Sequence, residues 1–148
     1  MPSAPATPEF SPMTPSAKRL TRRLAKVPIE IRAAAATEAL LQAQRLAQVI
    51  ALAAPADEGA LRASIRVTVG KRGDRFYVRG GGPKTTRPVR AGQSATYDYA
   101  NAIEHGTDKL KRRPFFYPTA RAAKRFIRAG IAHEIRKAAE AFNGKGRE

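Results

Sequence analysis

The sequence predicts a single α+β domain: a long N-terminal helix, a small mostly antiparallel sheet, a short helix, and a long C-terminal helix packed on the sheet. Three observations predict it. Apolar residues recur at three- and four-residue steps toward both ends of the chain, whereas in the middle they alternate. The length of 148 residues, 43% of them hydrophobic, suffices for one modest core and not for two.

Residues 1–17 carry Pro2, Pro5, Pro8, Pro12 and Pro15 among Ser, Thr and Ala, with Glu9 as the only charged side chain. Proline at that density blocks helix and ladder alike, so the stretch reads as a flexible arm. The folded domain is expected over 18–143, followed by a short flexible tail over 144–148. From Ser16 to Ala53, Leu24, Val27, Ile31, Ala35, Leu41, Val49 and Leu52 fall near helical spacing, with a break expected at Pro28.

Pro55-Ala56-Asp57-Glu58-Gly59 ends that helix as a turn, and Ile65, Val67 and Val69 then alternate with Arg66 and Thr68 as a half-buried strand. Lys71-Arg72-Gly73-Asp74 supplies turn residues, and Phe76 and Val78 alternate in the returning strand of a hairpin. The polar stretch from Gly80 to about Thr96 is long enough to project as a loop, with Gly80-Gly81-Gly82 as its hinge. Tyr97 to Glu104 reads as a short helix that Gly106 terminates. Pro118 marks the start of the last helix, in which Phe116, Ala123, Ile127, Ile131, Ile135, Ala138 and Phe142 share a face until Asn143-Gly144.

Twenty-eight Lys and Arg face 12 Asp and Glu, a formal charge of +16, so the neighbour is a polyanion or an acidic protein surface. The charge is segregated. No acid lies between Asp74 and Asp98, where Arg75, Arg79, Lys84, Arg87 and Arg90 occur, nor between Asp108 and Glu134, where Lys109, Lys111, Arg112 and Arg113 lead into a further basic run. Phosphate neutralisation carries no base information, so this points to non-specific contact with DNA or to acidic protein. Absence of cysteine excludes disulfides, thiolate metal sites and cysteine nucleophiles. No run approaches the roughly 18 apolar residues of a membrane span, and the N-terminus lacks a signal-peptide pattern, so a soluble protein is expected.

Catalytic material is sparse. His105 and His133 lie in different elements without a metal-ligand spacing, and a hydrolase or nuclease would have to rely on Asp98, Glu104 and His105. Gly80-Gly81-Gly82-Pro83-Lys84-Thr85-Thr86 resembles a phosphate loop only superficially, because Pro83 removes a backbone donor next to Lys84. No cofactor and no metal site is expected.

Three ordered motifs say more. Ala54-Pro55-Ala56-Asp57-Glu58-Gly59-Ala60-Leu61-Arg62-Ala63-Ser64-Ile65 resembles the A-P-x-D-x-G-x-L-x-x-S-I pattern of the gene-product-ten family of HK-type siphophages, the minor tail protein Z-like tail-completion or neck proteins. Tyr99-Ala100-Asn101-Ala102-Ile103-Glu104-His105-Gly106-Thr107 resembles the family's Y-A-x-x-V-E-F-G-T, and Pro114-Phe115-Phe116-Tyr117-Pro118-Thr119-Ala120 its P-F-L-x-P-A. Glu58, His105 and Thr119 depart from the pattern without removing a shape-setting glycine or proline. In physical terms Gly59 is expected to supply a positive φ before the strand, Gly106 to end the short helix, and Pro114 and Pro118 to fix the approach to the long one. Phe115, Phe116 and Tyr117 supply apolar area, with Phe116 expected in the core.

The resemblance implies a structural virion protein, without enzymatic activity, that assembles as a hexameric ring at the head-tail joint after synthesis in the host cytoplasm. Its neighbours would be head-completion, tail-terminator or tail-tube proteins, and its bore would pass DNA. The rival reading is a stand-alone basic nucleic-acid-binding protein, with Tyr77 or Tyr97 stacking on bases. One consequence follows from the arm alone: deleting Met1 to Pro15 should leave the thermal melting temperature unchanged, and a large loss of stability would show that the arm is part of the core.

Overall fold

A computed structural model describes Arg19, Arg22, Ala25 and residues 27–56 and 59–145. The arm over 1–17 lies outside the described residues, as do Leu24 and residues 146–148 of the tail expected over 144–148, whose first two residues, Gly144 and Lys145, belong to the last helix instead.

The long helix α1 spans Ile29–Ala53, with Pro28 as its N-cap. Proline is suited to that boundary, since its missing N–H is one that a first turn leaves unpaired in any case. At the other end the Arg62 guanidinium donates twice to the Ala54 carbonyl, at 3.3 and 3.2 Å, placing a cation where the helix presents its free carbonyls. The inward face differs from the expected one. Leu41, Val49 and Leu52 are exposed, Leu52 by 76%. Ile31 and Ala35 of the expected face are half-buried, but further along Gln42 and Leu46 are half-buried in place of Leu41, Val49 and Leu52, and Ile50 is fully buried. With Ala or Leu at most positions the helix is apolar on nearly every side, so spacing could not choose the face.

A short helix, α2 (Gly59–Ser64), follows. It corrects the role expected of Gly59, which opens a helix before the strand and is not among the positive-φ glycines. Strands β1 (Arg66–Val69) and β2 (Phe76–Arg79) pair antiparallel, with Val67 opposite Val78 and Val69 opposite Phe76. The hairpin is as expected, though Ile65 lies just before the strand and Val69 is 57% exposed at its end.

Beyond them a 3₁₀ turn (Pro83–Thr85) leads into β3 (Thr86–Pro88), which pairs antiparallel with β4 (Thr96–Asp98) in a second, separate two-stranded sheet. The supposed loop is therefore two things. Gly80 to Thr85 packs into the domain, with Gly81 and Thr85 buried, and only the β3–β4 hairpin tip projects. Tyr97 belongs to β4, so the short helix α3 starts later and spans Tyr99–His105.

The last helix, α4 (Phe116–Lys145), begins two residues before Pro118 and runs through Gly144. It meets the β-region through its first turns, where Phe116 and Ala120 join the core, and its remaining length lies along α1 instead of on a sheet. Gly130 permits that approach: a Cβ there would stand 2.8 Å from the Gln42 amide and 3.2 Å from the Glu38 carboxylate. Ile50, Ala54, Leu61, Tyr99, Ala100 and Phe115 form the buried core, so Phe115 is central and Phe116 only half-buried at its edge.

Gly106 terminates α3 with φ +79°, its N–H donating 2.7 Å to the Ala102 carbonyl. An added Cβ would also meet the Arg112 backbone nitrogen at 3.0 Å. Gly106→Val should therefore cost on the order of 1 kcal/mol or more by denaturant melting, and an unchanged midpoint would count against this backbone geometry.

Candidate functional site

Two carboxylates shape the surface on which the basic residues stand. Asp98 N-caps α3 by accepting the Ala100 N–H at 2.9 Å, and it also accepts the Gly82 N–H at 2.8 Å and the Thr85 hydroxyl at 2.6 Å. Gly81 must lack a side chain here, because a Cβ would overlap the same carboxylate. The glycine run is thus clamped where a flexible hinge was expected. Ser64 adds a second tie: its hydroxyl donates 2.6 Å to the Leu61 carbonyl and accepts the Gly81 N–H at 3.0 Å.

Glu104 does for α4 what Asp98 does for α3. It is 7% exposed, and its Oε2 accepts the N–H groups of Phe115 and Phe116 at 2.8 and 3.0 Å, while Oε1 accepts that of Tyr117 at 3.0 Å. A helix start leaves four backbone donors without partners. Here three are taken by one carboxylate, and the fourth does not exist because residue 118 is proline. Burial opposes ionisation of both acids; hydrogen bonds from Thr85, Gly82 and Ala100 to Asp98, and from Phe115, Phe116 and Tyr117 to Glu104, more than offset it and hold both below the ordinary carboxylate range. With their oxygens committed to the fold, Asp98 and Glu104 are not disposed as the metal ligands or acid-base pair of a hydrolase. Among the described residues no group of three or more His, Asp and Glu could hold a metal ion.

The loop after α3 is held by the same region. The Arg113 N–H donates 2.7 Å to the Ile103 carbonyl, and Thr107 and Leu110 bond each other's backbone across a tight turn. The loop therefore returns over α3 and brings Lys111 and Arg113 beside Arg87 of β3. Together these three cations border a notch of about 370 Å³. Buried Leu61 and Tyr99 lie deep in it with half-buried Pro55 and Ile103, and exposed Tyr97 and Leu110 stand at its mouth. The Arg87 guanidinium sits 5.1 Å over the Tyr99 ring. None of the described residues lining the notch is acidic.

Members of the two basic blocks, Arg87 from one and Lys111 and Arg113 from the other, thus meet at one place. Not every member joins. Arg79 borders a different cleft of about 570 Å³ with Arg66 and His105, and lies 5.5 Å over the Tyr77 ring. Lys84 is exposed and reaches the Ala63 carbonyl at 3.4 Å. Arg90, Lys109 and Arg112 are exposed outside the notch. Among the motif residues Leu61, Ser64, Tyr99, Ala100, Glu104 and Phe115 are all buried, whereas Pro114 and Pro118 are exposed and Asp57 lies outside the described residues. The apolar lining of the notch escaped the sequence reading, since Pro55, Leu61, Ile103 and Leu110 come from four segments with no shared periodicity.

No helix among the described residues is long and apolar enough to cross a membrane. Removing the Glu104 carboxylate should be costly: Glu104→Ala strands three backbone donors and should lose about 2–3 kcal/mol of stability. Because both folded-state pKa values are depressed, the contribution is fully present above the ordinary values near 4 and is lost as pH falls through the lowered ones. Wild type should lose stability on acidification below about pH 5, and Glu104→Gln should flatten that slope; parallel curves for the two proteins would contradict the capping role.

Residues 18–106 match the family model described as "Bacteriophage HK97-gp10, putative tail-component". No curated protein and no solved structure matches the chain.

Proposed function

The chain belongs to the HK97-gp10-like family of phage tail components, and from that membership we propose that it is a neck or tail-completion subunit, working as a hexameric ring that joins the connector to the tail. The observation that carries the reading is the unpartnered apolar stripe of α1. Leu41, Val49 and Leu52 fall within one helical face and are 39%, 50% and 76% exposed, which is poor economy for a monomer of this size and fitting for a face covered by another subunit. The β3–β4 tip and the notch lie on other elements. A subunit whose contact surfaces differ makes heterologous contacts, and these close into rings when the rotation allows.

The basic surface fits the same position. Residues such as Lys84, Arg90, Lys109 and Arg112 are exposed on segments rich in Lys and Arg, so they suit phosphates of any sequence or acidic surfaces of head-completion, tail-terminator or tail-tube proteins. A channel that passes a whole genome requires indifference to sequence and a weak hold. The function is geometric: identical subunits present one face to the head and another to the tail.

Light scattering on the purified chain should give the mass of a closed oligomer, and Leu52→Glu with Val49→Glu should reduce it to monomer while the melting temperature stays within a few degrees, because both side chains are already exposed. Phage carrying these changes should accumulate unjoined heads and tails. Duplex DNA should bind weakly and without sequence preference, with affinity falling by a log-log slope of roughly −0.9 per phosphate contacted. A monomer at all concentrations that binds one DNA sequence tightly at physiological salt would overturn the neck reading in favour of a stand-alone DNA-binding protein.

A further inference from the structure

The exposed face of α4 carries a concentration of charge that the fold itself does not use. Ala123, Ile127, Ile131 and Ala138 are half-buried on the side that packs along α1, whereas Arg121, Lys124, Arg125 and Arg128 are exposed. No acid occurs between Asp108 and Glu134, so nothing in the segment neutralises them. Among the described residues neither Lys124 nor Arg128 has an ion-pair or hydrogen-bond partner. Arg121 and Arg125 are each held by one neutral contact: the Arg121 Nε donates to the Tyr117 carbonyl at 3.3 Å, and the Arg125 guanidinium sits 4.6 Å over the Phe126 ring. The charge of all four therefore remains for a partner. Ala122, Ala129 and Ala132 are exposed among and beyond them, and such small side chains let a broad surface approach the helix.

Charge density decides which partner fits. From Arg121 to Arg128 the helix rises about 10 Å and carries four cations. An opposing acidic helix, presenting one carboxylate per turn of about 5.4 Å, would meet them with about two. Duplex DNA carries one phosphate charge per ~1.7 Å of its axis, about six over the same length. We infer that the outer face of α4 is where the subunit meets the phosphate backbone of duplex DNA, through Lys124 and Arg128 with Arg121 and Arg125 beside them. The outer face of α1 is of another kind: Leu41, Gln44, Gln48 and Val49 are exposed there with a single cation, Arg45, among them. The two helices thus divide the work, α1 offering apolar area to protein and α4 offering charge to DNA. Phosphate contact reads no bases, so the hold is the same for every sequence that passes. The inference rests on the place beside the DNA path proposed above and names the element that faces it.

The test is binding of the full-length chain to two duplexes of unrelated sequence, read by fluorescence anisotropy across a salt series. Lys124→Gln with Arg128→Gln should weaken binding about ten-fold or more at low salt and lower the log-log salt slope by about 1.8, two phosphate contacts' worth, equally on both duplexes. Lys71→Gln with Arg72→Gln removes the same charge from the exposed β1–β2 turn and should leave the slope unchanged. Lys124→Arg with Arg128→Lys keeps the charge and should keep the slope, which separates phosphate contact from an effect on the helix. The absence of cysteine allows a second readout. A photo-crosslinker on Ala129→Cys should link to DNA at least five-fold more than one on Gln44→Cys of α1. Equal slopes for the α4 and turn variants, or stronger binding of polyglutamate than of DNA to the same face, would overturn the inference. Light scattering on the same samples keeps it distinct from the ring: an oligomer whose α4 variants bind DNA like wild type overturns the α4 surface alone, whereas a monomer whose α4 variants lose DNA overturns the ring and upholds the surface.

Discussion

A single buried carboxylate organises the C-terminal half of this molecule. Glu104, at the end of a seven-residue helix, takes the three free N–H groups at the start of a 30-residue one, and Pro118 supplies the missing fourth donor by having none. The interaction sets where α4 begins, and hence where Phe115 enters the core. It also fixes the ends of the intervening loop, so Gly106 must turn through positive φ and residues 107–114 must travel out and back within a short span. The position of Lys111 and Arg113 on the notch follows from that constraint.

Asp98 provides a parallel clamp sixteen residues from Gly82, joining the β-region to the start of α3. The two acids together explain why the most motif-like parts of the chain contain polar residues with no catalytic task. Each satisfies backbone donors that would otherwise be buried unpaired, at a cost of about 1–3 kcal/mol apiece. The surface so held is basic and carries exposed apolar groups.

Much of this was open to inspection in the letters. Alternation at Val67 and at Phe76 and Val78 announced the first hairpin, because a strand turns successive side chains to opposite faces and the pattern is local. Pro28 marked the helix boundary through its missing donor, and Gly106 marked a left-handed turn that other residues resist. The three ordered motifs led to the family that residues 18–106 match. These signals survive in one dimension because each depends on a residue and its near neighbours in the chain.

What only the tertiary structure decided depends on partners far apart in sequence. Leu41, Val49 and Leu52 are as apolar as Leu46 and Ile50, and only packing against α4 and the β-region tells the outer face from the inner. Gly80 to Thr85 reads as flexible until Asp98 and Ser64 close on it, and Gly59 reads as a turn until it opens α2. Glu104 gave no sign in its own segment of capping a helix that starts at Phe116. The notch likewise has no sequence signature, since it draws Pro55, Leu61, Arg87, Ile103 and Arg113 from separate segments. The sequence by itself determined the local elements, the charge and the family; the faces, the clamps and the notch arose only when distant segments met, because burial and hydrogen-bond satisfaction are properties of the assembled chain.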